Sequence, residues 1–451
     1  MAKTSLSLSD ALAVAVEALS WIEVEGLTER EAILRSSKQL NVKDLRSLRL
    51  SHLMVLESTR RRNLLDRLLS LMDPSLVYQT LKAGPRSFAR IYTYWSKIRG
   101  ADWEETLALL RAGRKLLGWQ ELEPLELVFG RLLGFQIEDA TVGASDVEAT
   151  ALRTFHPKWF VKYCIRTFGR VKAMNILRGN LSPPPTYIRL NTLVEDESSI
   201  LQKLKRTGVE LERVQGIKHL YKVLYSLGPL SRSRAAKSGE IQIQDKSSCL
   251  SVLTGKPKAG EVVLDACAAP GAKTSLLAQL MRNRGAIYAL DISWKRMSFW
   301  RREMERMNVK IAHPILSDAR QPLPIDIDAD FVILDPPCSN SGLFAKAPSN
   351  KWKIRRSDFI KFPQTQLRML RRCGERVKRG GRLVYSTCSI AIEENELLIE
   401  TFLKLDPAFR LTEIDPQIGE TGMRGLDRCR RLYPHVDACN GYFVAAMTRD
   451  V

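Results

Sequence analysis

The sequence predicts an α/β fold in which a doubly wound, largely parallel sheet follows a small α+β domain and an all-α helical domain. Three observations predict it. The first third of the 451 residues carries apolar side chains at helical spacing and almost no strand signal. A proline-rich turn and a few short apolar strands come next, mixed with helices. From Lys246 onwards short apolar runs alternate with amphipathic helices, a pattern typical of parallel strands joined by crossover helices.

The helical domain is predicted over residues 1–140. An apolar stretch from Ala11 to Ile22 forms its first helix, and Thr28 with Glu31 makes a capping-box pattern ahead of the second. After the second helix, leucines at helical spacing continue through a basic stretch of the sequence. The pattern loosens at 137–147, where we expect a linker. A segment of roughly 140 residues is a usual size for a domain.

A small α+β domain is predicted over 150–245. It opens with the helical stretch that follows 156–159 (HPKW) and continues after three prolines with a strand at Thr186–Asn191. Two further short strands are expected at Leu220–Val223 and Ile241–Ile243. Helices and strands mixed at this length indicate a small layered unit.

The α/β domain is predicted over 246–451. Its apolar runs are short, which fits strands buried on both faces of a sheet. The predicted strands are Val262–Leu264, Ile287–Leu290, Ile311–Leu316, Phe331–Leu334, Arg382–Ser386 and Tyr442–Met447, and the predicted helices are Thr274–Met281, Ser293–Met307, Gln364–Val377 and Glu393–Leu405.

Composition narrows the class of protein. Lys and Arg number 70 against 50 Asp and Glu, a net charge of +20 that favours a polyanionic partner such as RNA. The 8 cysteines contain no CxxC pair, so we expect no metal site and no disulfide framework. The start lacks a signal-peptide pattern, and no apolar run is long enough for a membrane span. We therefore expect a soluble, cytoplasmic protein without a membrane partner, and nothing in the sequence suggests an obligate dimer, so a monomer is expected.

Acidic or small residues follow four successive predicted strands. The first strand runs into 265–273 (DACAAPGAK), and the next three end at Asp291, Asp318 and Asp335. In an open α/β sheet the ligand lies beyond the carboxyl ends of the strands, and a carboxylate there can take ribose hydroxyls. Neither a dinucleotide fingerprint nor a phosphate-binding loop is present. A ligand that contains adenosine but no pyrophosphate fits this pattern better than a dinucleotide or a nucleoside triphosphate does. The sequence therefore predicts S-adenosylmethionine as the ligand.

Two thiols follow neighbouring strands. Cys338 comes after Asp335-Pro336-Pro337, and Cys388 follows the strand at Arg382–Ser386. Carbon 5 of cytosine becomes nucleophilic only after a thiolate adds at carbon 6. Asp335 is placed to donate a hydrogen bond to the ring nitrogen, and Lys273 is the candidate cation that favours the thiolate. A lone cysteine is more often a buried structural thiol. Two thiols at adjoining strand ends instead favour a catalytic role for both.

At this point the sequence resembles the Sun/Fmu-type (NOL/NOP/Sun) RNA cytosine-5 methyltransferases, which are class I, Rossmann-like enzymes that use S-adenosylmethionine. The resemblance covers roughly 150–451. The helical segment resembles the NusB-like RNA-binding domain of some members, which favours ribosomal over transfer RNA. The resembling motifs are CAAPGAKT (267–274), ALD (289–291), SDA (317–319), LDPPCSNSG (334–342) and YSTCSI (385–390), with HPKW (156–159), TYIRLN (186–191) and IQDKSS (243–248) upstream.

The resemblance implies roles for individual residues. Cys388 would be the nucleophile, and Cys338 would assist release of the product. DNA cytosine-5 methyltransferases attack instead with the Pro-Cys thiol, here Cys338. The expected catalytic residues are Cys388, Cys338, Asp335 and Lys273, and the expected cofactor-binding residues are Cys267, Ala268, Ala269, Pro270, Gly271, Ala272, Lys273, Asp291, Arg296, Asp318 and Asp335.

Three departures from the family pattern stand at Ala272, at Asn340-Ser341 and at Asn440. The family usually has Gly at the first and Gly-Thr or similar at the second, and near the end it has Asp-Gly-Phe-Phe where Asn440-Gly441-Tyr442-Phe443 stand here. None of them removes an atom that the chemistry requires. Two other interpretations stay open. One is an RNA-binding ribosome-assembly factor with weak or no turnover, and the other is a DNA methyltransferase, which the Thr-Cys-Ser context of Cys388 disfavours.

Overall fold

A computed structural model of the protein describes residues 2–74 and 80–450. These residues form two compact units. The first holds the described chain up to Leu181 together with Lys346–Ile354, and the second holds Ser182–Ala345 and the chain from Arg355 onwards. Residues 1 and 75–79 of the predicted helical domain, and residue 451 of the predicted α/β domain, lie outside the described residues.

The first unit is helical, as predicted. The predicted capping box is present at Thr28, whose Oγ1 accepts the Glu31 N–H at 3.3 Å while a Glu31 carboxylate oxygen accepts the Thr28 N–H at 3.1 Å. The apolar faces of the helices meet in one buried core. The helices are α1 (Ala2–Val24), α2 (Glu29–Gln39), α3 (Leu45–Arg60), α4 (Arg62–Met72), α5 (Ala83–Thr93), α6 (Trp103–Leu117), α7 (Trp119–Gly134), α8 (Asp146–Thr154), α9 (Lys158–Phe168) and α10 (Arg170–Gly179).

The first unit extends further along the chain than the predicted helical domain. Helices α8 to α10 belong to it, although the sequence pattern places residues 150–181 with the small α+β domain. The Asn63 side-chain amide of α4 donates hydrogen bonds to the carbonyl oxygens of Ala151 (2.7 Å) and His156 (3.2 Å). This tertiary contact, which no local sequence pattern encodes, joins α8 to the helical unit.

Lys346–Ile354 also belongs to the first unit, although the second unit supplies the chain on either side of it. The Trp352 indole N–H donates a hydrogen bond to the carbonyl oxygen of Thr59 at 2.6 Å. Lys351 is fully buried. Burial, together with two nearby arginine charges, holds the pKa of the Lys351 ammonium well below its ordinary value. These nine residues therefore pack against the helical unit, with Lys351 in its interior.

The second unit begins with a small antiparallel sheet in the order β2-β3-β1-β4. The predicted strands at 186–191, 220–223 and 241–243 are confirmed, while β2 was not predicted because its residues are mostly exposed and polar. The elements are β1 (Tyr187–Leu190), α11 (Glu197–Arg206), β2 (Glu210–Arg213), β3 (Leu220–Tyr225), α12 (Arg234–Lys237) and β4 (Ile241–Ile243).

The larger sheet confirms the predicted α/β fold. Among the described strands its order is β11-β12-β13-β9-β8-β5-β6-β7, with β10 paired to β13. The elements are α13 (Lys246–Thr254), β5 (Val262–Asp265), α14 (Ala272–Leu280), β6 (Ala286–Asp291), α15 (Trp294–Arg306), β7 (Ala312–Leu316), β8 (Ala329–Leu334), α16 (Asn350–Lys353, in the first unit), α17 (Asp358–Gly374), β9 (Val377–Thr387), α18 (Glu396–Leu405), β10 (Phe409–Leu411), β11 (Glu420–Thr421), β12 (Arg430–Leu432), α19 (Pro434–Asp437) and β13 (Tyr442–Arg449).

The topology places the loops that carry the motifs at one edge of this sheet. Strands β5 to β9 are parallel, and β13 runs antiparallel beside β9. The strand order reverses after β7, because β8 lies on the other side of β5. The carboxyl ends of β5, β8 and β9 are therefore neighbours at the switch point, which is where ligands bind in open α/β sheets.

One predicted helix was misplaced. The sequence pattern begins it at Gln364, after Pro363, and ends it at Val377, whereas α17 spans Asp358–Gly374 with Pro363 inside it and Val377 opens β9. Proline normally interrupts a helix because it lacks an N–H group. Packing of the apolar face of α17 outweighs that cost here, since Phe359 and Met369 on both sides of the proline are buried.

Candidate active site

A cavity of about 290 Å³ opens in the second unit at the carboxyl ends of the parallel strands. Four of the residues predicted to bind the cofactor line it: Cys267, Asp291, Arg296 and Asp318. The others, Ala268 to Lys273 and Asp335, are not among the lining residues. The full lining is Ala266, Cys267, Asp291, Ile292, Arg296, Ser317, Asp318, Ala319, Arg320, Pro337, Phe362, Thr365 and Met369.

Asp291 is the buried carboxylate of this cavity. It ends β6 and is 4% exposed. One of its oxygens accepts the Ser293 N–H at 3.0 Å. The other lies 3.2 Å from an Arg296 guanidinium nitrogen but accepts no hydrogen bond from the described residues. It therefore keeps an acceptor available for a donor inside the cavity.

Asp318, the second carboxylate that lines the cavity, is held by its neighbour. The Arg320 guanidinium donates to both Asp318 carboxylate oxygens, with Nη2 at 2.7 Å from Oδ2. This hydrogen bonding holds the pKa of Asp318 below its ordinary value. Asp318 therefore stays ionised beside the cavity.

The loop between β5 and α14 turns tightly at Gly271. Its φ of +116° lies in the region that side chains rarely adopt, and a β-carbon there would lie 2.7 Å from the Met304 methyl group. Ala272, where the family usually has glycine, is the first residue of α14. Its methyl group is compatible with that helical position, as expected from the sequence.

A buried chain of hydrogen bonds fixes the end of β5. The Trp300 indole N–H donates to Thr274 Oγ1 at 3.0 Å, and Thr274 Oγ1 donates to Asp265 Oδ2 at 2.7 Å. Burial raises the pKa of the Asp265 carboxyl to about 6. The carboxyl is thus held in an environment that disfavours its charge.

Asp335 and Lys273 form an ion pair. Lys273 Nζ lies 2.5 Å from Asp335 Oδ2, and Asp335 Oδ1 accepts hydrogen bonds from Tyr442 OH (3.2 Å) and Ser386 Oγ (3.3 Å). Burial alone would lower the pKa of the Lys273 ammonium, but the charge of Asp335, its hydrogen bond to Lys273, and the nearby Tyr442 and Asp265 together outweigh burial and raise the pKa. Asp335 therefore acts as a hydrogen-bond acceptor here, with a protonated Lys273 beside it.

The two thiols meet at the ends of β8 and β9. Cys338 Sγ and Cys388 Sγ are 3.2 Å apart. The Cys388 thiol donates to Asn340 Oδ1 at 2.9 Å, and Cys338 Sγ lies 3.8 Å from the same oxygen. The hydrogen bond with Cys388 and burial together hold the pKa of the Cys338 thiol well above its ordinary value. The side chain of Lys273 contacts Asp335 and not the thiols, and its role as the nearby cation that favours the thiolate stays a prediction.

Three contributors to the site were not predicted. Asn340 was noted only as a departure from the family pattern, yet its left-handed backbone (φ 55°) brings its amide to the thiols. Tyr442 was expected as the first residue of the last strand and noted as part of a departure from the family pattern, but not as a hydrogen-bond donor to Asp335. Glu394 gave no sequence signal: it accepts a hydrogen bond from Ser389, 5 residues before it, but also from the backbone N–H of Ser339, 55 residues before it.

Two kinds of feature are absent from the described residues. No group of three or more His, Cys, Asp or Glu side chains among them is arranged to hold a metal ion. None of the described helices combines the length and the apolar character that crossing a membrane requires.

Comparisons with known proteins give a consistent set of relatives. The sequence profile described as 16S rRNA methyltransferase RsmB/F matches residues 252–448, and that of the ferredoxin-like domain of RsmF/B-like methyltransferases matches residues 156–220. The second match crosses the boundary between the two units at residue 181.

Two curated relatives and one solved structure illustrate the similarity. The chain is 32% identical over 308 residues to "Probable ribosomal RNA small subunit methyltransferase B" of Bacillus subtilis (strain 168), covering 67% of this chain and 68% of that protein. It is 33% identical over 288 residues to the 28S rRNA (cytosine(4447)-C(5))-methyltransferase of Homo sapiens, covering 60% of this chain and 35% of that protein. The crystal structure of PH0851 matches with a TM-score of 0.85 and 26% identity, covering 97% and 98% of the two chains.

Proposed function

The chain belongs to the RsmB/F family of 16S rRNA methyltransferases, and from that premise we propose that it methylates carbon 5 of a cytosine in ribosomal RNA by attack of Cys388 on the base. The human relative is named as a cytosine-C(5) methyltransferase of ribosomal RNA, and this chain spans 35% of its length. The single observation that carries the proposal is the pair of thiols 3.2 Å apart, beside Asp335, at the switch point of the sheet.

S-adenosylmethionine is the proposed methyl donor. The cavity of about 290 Å³ is at the lower end of the range for small-molecule sites. Asp291 supports the assignment, because its buried oxygen with no hydrogen-bond donor among the described residues would accept a ribose hydroxyl. Arg296 and Asp318 would flank the ligand. When bound, S-adenosylmethionine supplies an electrophilic methyl group.

The thiols and the ion pair carry the proposed reaction. After the Cys388 thiol has released its proton to water, the thiolate sulfur forms a bond to carbon 6, and the electron pair of the 5,6 double bond moves onto carbon 5 and by conjugation towards the ring nitrogen, which makes carbon 5 nucleophilic. As negative charge develops on the ring nitrogen, a proton would pass from Lys273 to Asp335, and the Asp335 carboxyl would then donate it to the ring nitrogen. Once carbon 5 carries the methyl group, a base takes the proton from carbon 5, the electron pair of that C–H bond re-forms the 5,6 double bond, and the carbon–sulfur bond breaks to release the Cys388 thiolate. Cys338 assists this release.

The first measurement is methyl transfer from labelled S-adenosylmethionine to RNA that lacks its own modifications, followed by digestion to nucleosides. We expect label in 5-methylcytidine of ribosomal RNA. Label found in transfer RNA alone would show that the substrate is transfer RNA and not ribosomal RNA. No label in RNA, despite cofactor binding, would favour the assembly-factor interpretation.

The roles of the two cysteines are tested by substitution. Cys388→Ala should abolish methyl transfer while it leaves cofactor affinity nearly unchanged. Cys338→Ala should trap a covalent protein–RNA adduct that is visible on a denaturing gel, because release is blocked after attack. An adduct with Cys388→Ala but not with Cys338→Ala would show that Cys338 attacks the base, as the Pro-Cys thiol does in DNA cytosine-5 methyltransferases.

We also propose that the helical unit is a NusB-like domain that contacts RNA together with the small sheet. The net charge of +20 supports this, because cationic side chains release counterions from phosphates on binding. The protein is proposed to act as a monomer in the cytoplasm, where both thiols stay reduced. RNA affinity that falls steeply as salt is raised would support the phosphate contacts.

A further inference from the structure

Helix α15 presents two aromatic rings to solvent. Its core side is made by Met297, Trp300 and Met304, which are buried. On the other side Trp294 is 68% exposed and Phe299 is 50% exposed. Exposed apolar side chains need no explanation where they are scattered singly, but rings that lie near one another on a surface mark an interaction site. Two such rings on one helix of 13 residues therefore indicate a surface that binds a partner.

The side chains between the two rings are basic or small. Because a helix turns by about 100° per residue, Lys295, Ser298 and Arg302 lie between Trp294 and Phe299 around the helix axis. The Arg302 guanidinium carbon is 4.7 Å from the centre of the Phe299 ring. The salt bridges that α15 forms among the described residues involve its other arginines. The charges of Lys295 and Arg302 therefore remain available to an anionic partner.

This surface adjoins the cavity proposed for the methyl donor. Ile292, two residues before α15, and Arg296, in the first turn of α15, both line that cavity. Pro337 lines it from the loop that carries Cys338. The cavity thus joins the start of α15 to the loop that carries one of the two thiols. When a base is held at the thiols, the nucleotides next to it lie within reach of α15.

We propose that the aromatic–basic face of α15 binds single-stranded RNA next to the target cytosine. The face is formed by Trp294, Lys295, Ser298, Phe299 and Arg302. Bases stack on its two rings, because every base has a π-face, and phosphates lie against its two cations. Unpaired nucleotides are required, since the faces of paired bases are stacked inside a duplex. The assignment rests on the proposed function in naming RNA as the partner.

A membrane surface is the competing partner for a helix with aromatic and basic residues. A helix that lies on a membrane buries its apolar side among the lipids. The apolar side of α15 is already occupied, because Met297, Trp300 and Met304 pack in one buried cluster with Ala268 and Ala289. Only the separated rings of the aromatic–basic face remain in solvent, and isolated rings between cations suit stacked bases better than a lipid layer.

Binding of a fluorescein-labelled oligocytidine to the full-length chain, followed by fluorescence anisotropy, tests the face. Trp294→Ala should weaken binding about 5- to 150-fold, the effect of losing one stacked base. Trp294→Phe keeps a ring and should restore most of the affinity. Arg302→Gln should lower the slope of log affinity against log salt concentration by about one, whereas Lys404→Gln, an exposed charge on α18, should leave that slope unchanged.

A strand of the same length that lacks bases separates stacking from folding. Trp294→Ala should bind this abasic strand as tightly as the parent, because its phosphate contacts remain. Leu405→Ala, which also shortens an exposed apolar side chain, should leave the affinity for both strands unchanged. Equal affinity of Trp294→Ala and the parent for oligocytidine, including no binding by either, would overturn the proposal. Equal losses for both strands would overturn it as well, since a disturbed fold would then be the cause.

Vesicles that contain phosphatidylglycerol distinguish the competing partner. Vesicle binding that is lost in Trp294→Ala while affinity for oligocytidine is retained would assign the face to a membrane surface and refute the proposal. The binding assay needs neither the methyl donor nor turnover. Absence of methyl transfer together with the expected losses of RNA affinity would therefore refute the proposed function and leave this inference standing.

Discussion

Asp265→Asn should change the pH dependence of stability in the second unit. Asp265 is 1% exposed at the end of β5, and burial raises the pKa of its carboxyl from the ordinary 3.8 to about 6. Thr274 Oγ1 donates to it at 2.7 Å, a hydrogen bond that the amide oxygen of the substituted side chain could also accept. The substitution therefore removes the ionisable group and keeps its contact.

The sign follows from proton binding. Between pH 4 and 6 the folded protein holds the proton of Asp265 while the unfolded chain releases it, so this group stabilises the fold fully below pH 4 and loses that contribution as the pH rises to 6. A pKa raised from 3.8 to about 6 corresponds to about 3 kcal/mol. Relative to the unsubstituted protein, the free energy of unfolding of Asp265→Asn should thus rise by about 2.4 kcal/mol from pH 4 to 7.

Urea unfolding at a series of pH values, followed by circular dichroism, measures this difference. The exposed Asp328→Asn is the matched control, for which the difference from the unsubstituted protein should stay constant across the range. Parallel stability curves for Asp265→Asn and the unsubstituted protein would refute the reasoning, because they would show that the Asp265 carboxyl has the same proton affinity in the folded and unfolded states.

Two further substitutions test the cavity and the loops around the thiols. Asp291→Asn should weaken S-adenosylmethionine binding roughly 10- to 100-fold by calorimetry, because hydrogen bonds to a charged group contribute about 1.5–3 kcal/mol; an affinity equal to that of Asp328→Asn would contradict the role. Gly342→Ala should lower the melting temperature and the methyl-transfer rate together, since a β-carbon there would lie 2.0 Å from the Gly441 carbonyl oxygen. A fully stable, active variant would show that these two loops do not meet.

The fold was predictable where local pattern and burial coincide. Strands buried on both faces must be apolar throughout, so the predicted strands at 262–264 and 331–334 agree with β5 and β8 within two residues at each end. The acidic residues at the ends of these strands, Asp265 and Asp335, were predictable as well, because ligands of an open α/β sheet lie beyond the carboxyl ends of its strands. The pairing of Cys338 with Cys388 was also predictable, because motifs on adjoining parallel strands converge at one edge of the sheet.

The rest of the site depends on contacts between distant residues. Asn340 reaches Cys388 across 48 positions of sequence, and Glu394 reaches Ser339 across 55. Neither asparagine nor glutamate has a local structural preference from which such a long-range contact could be predicted. The membership of α8–α10 in the helical unit is similar, because amphipathic helices indicate that a face is buried but not which partner buries it.

The division of the chain between the units has a consequence for its synthesis. A ribosome makes the helices α1–α10 first, yet Lys346–Ile354, which belongs to the same unit, is translated only after β8 of the second unit. At about 5–20 residues per second, the nascent helical unit waits roughly ten to thirty seconds for its last segment. Cutting the chain after Leu181 would likewise leave both fragments altered, one without those nine residues and the other with Lys351 and Trp352 exposed. The two units are therefore products of a single, uninterrupted chain and not modules that can be exchanged at one junction.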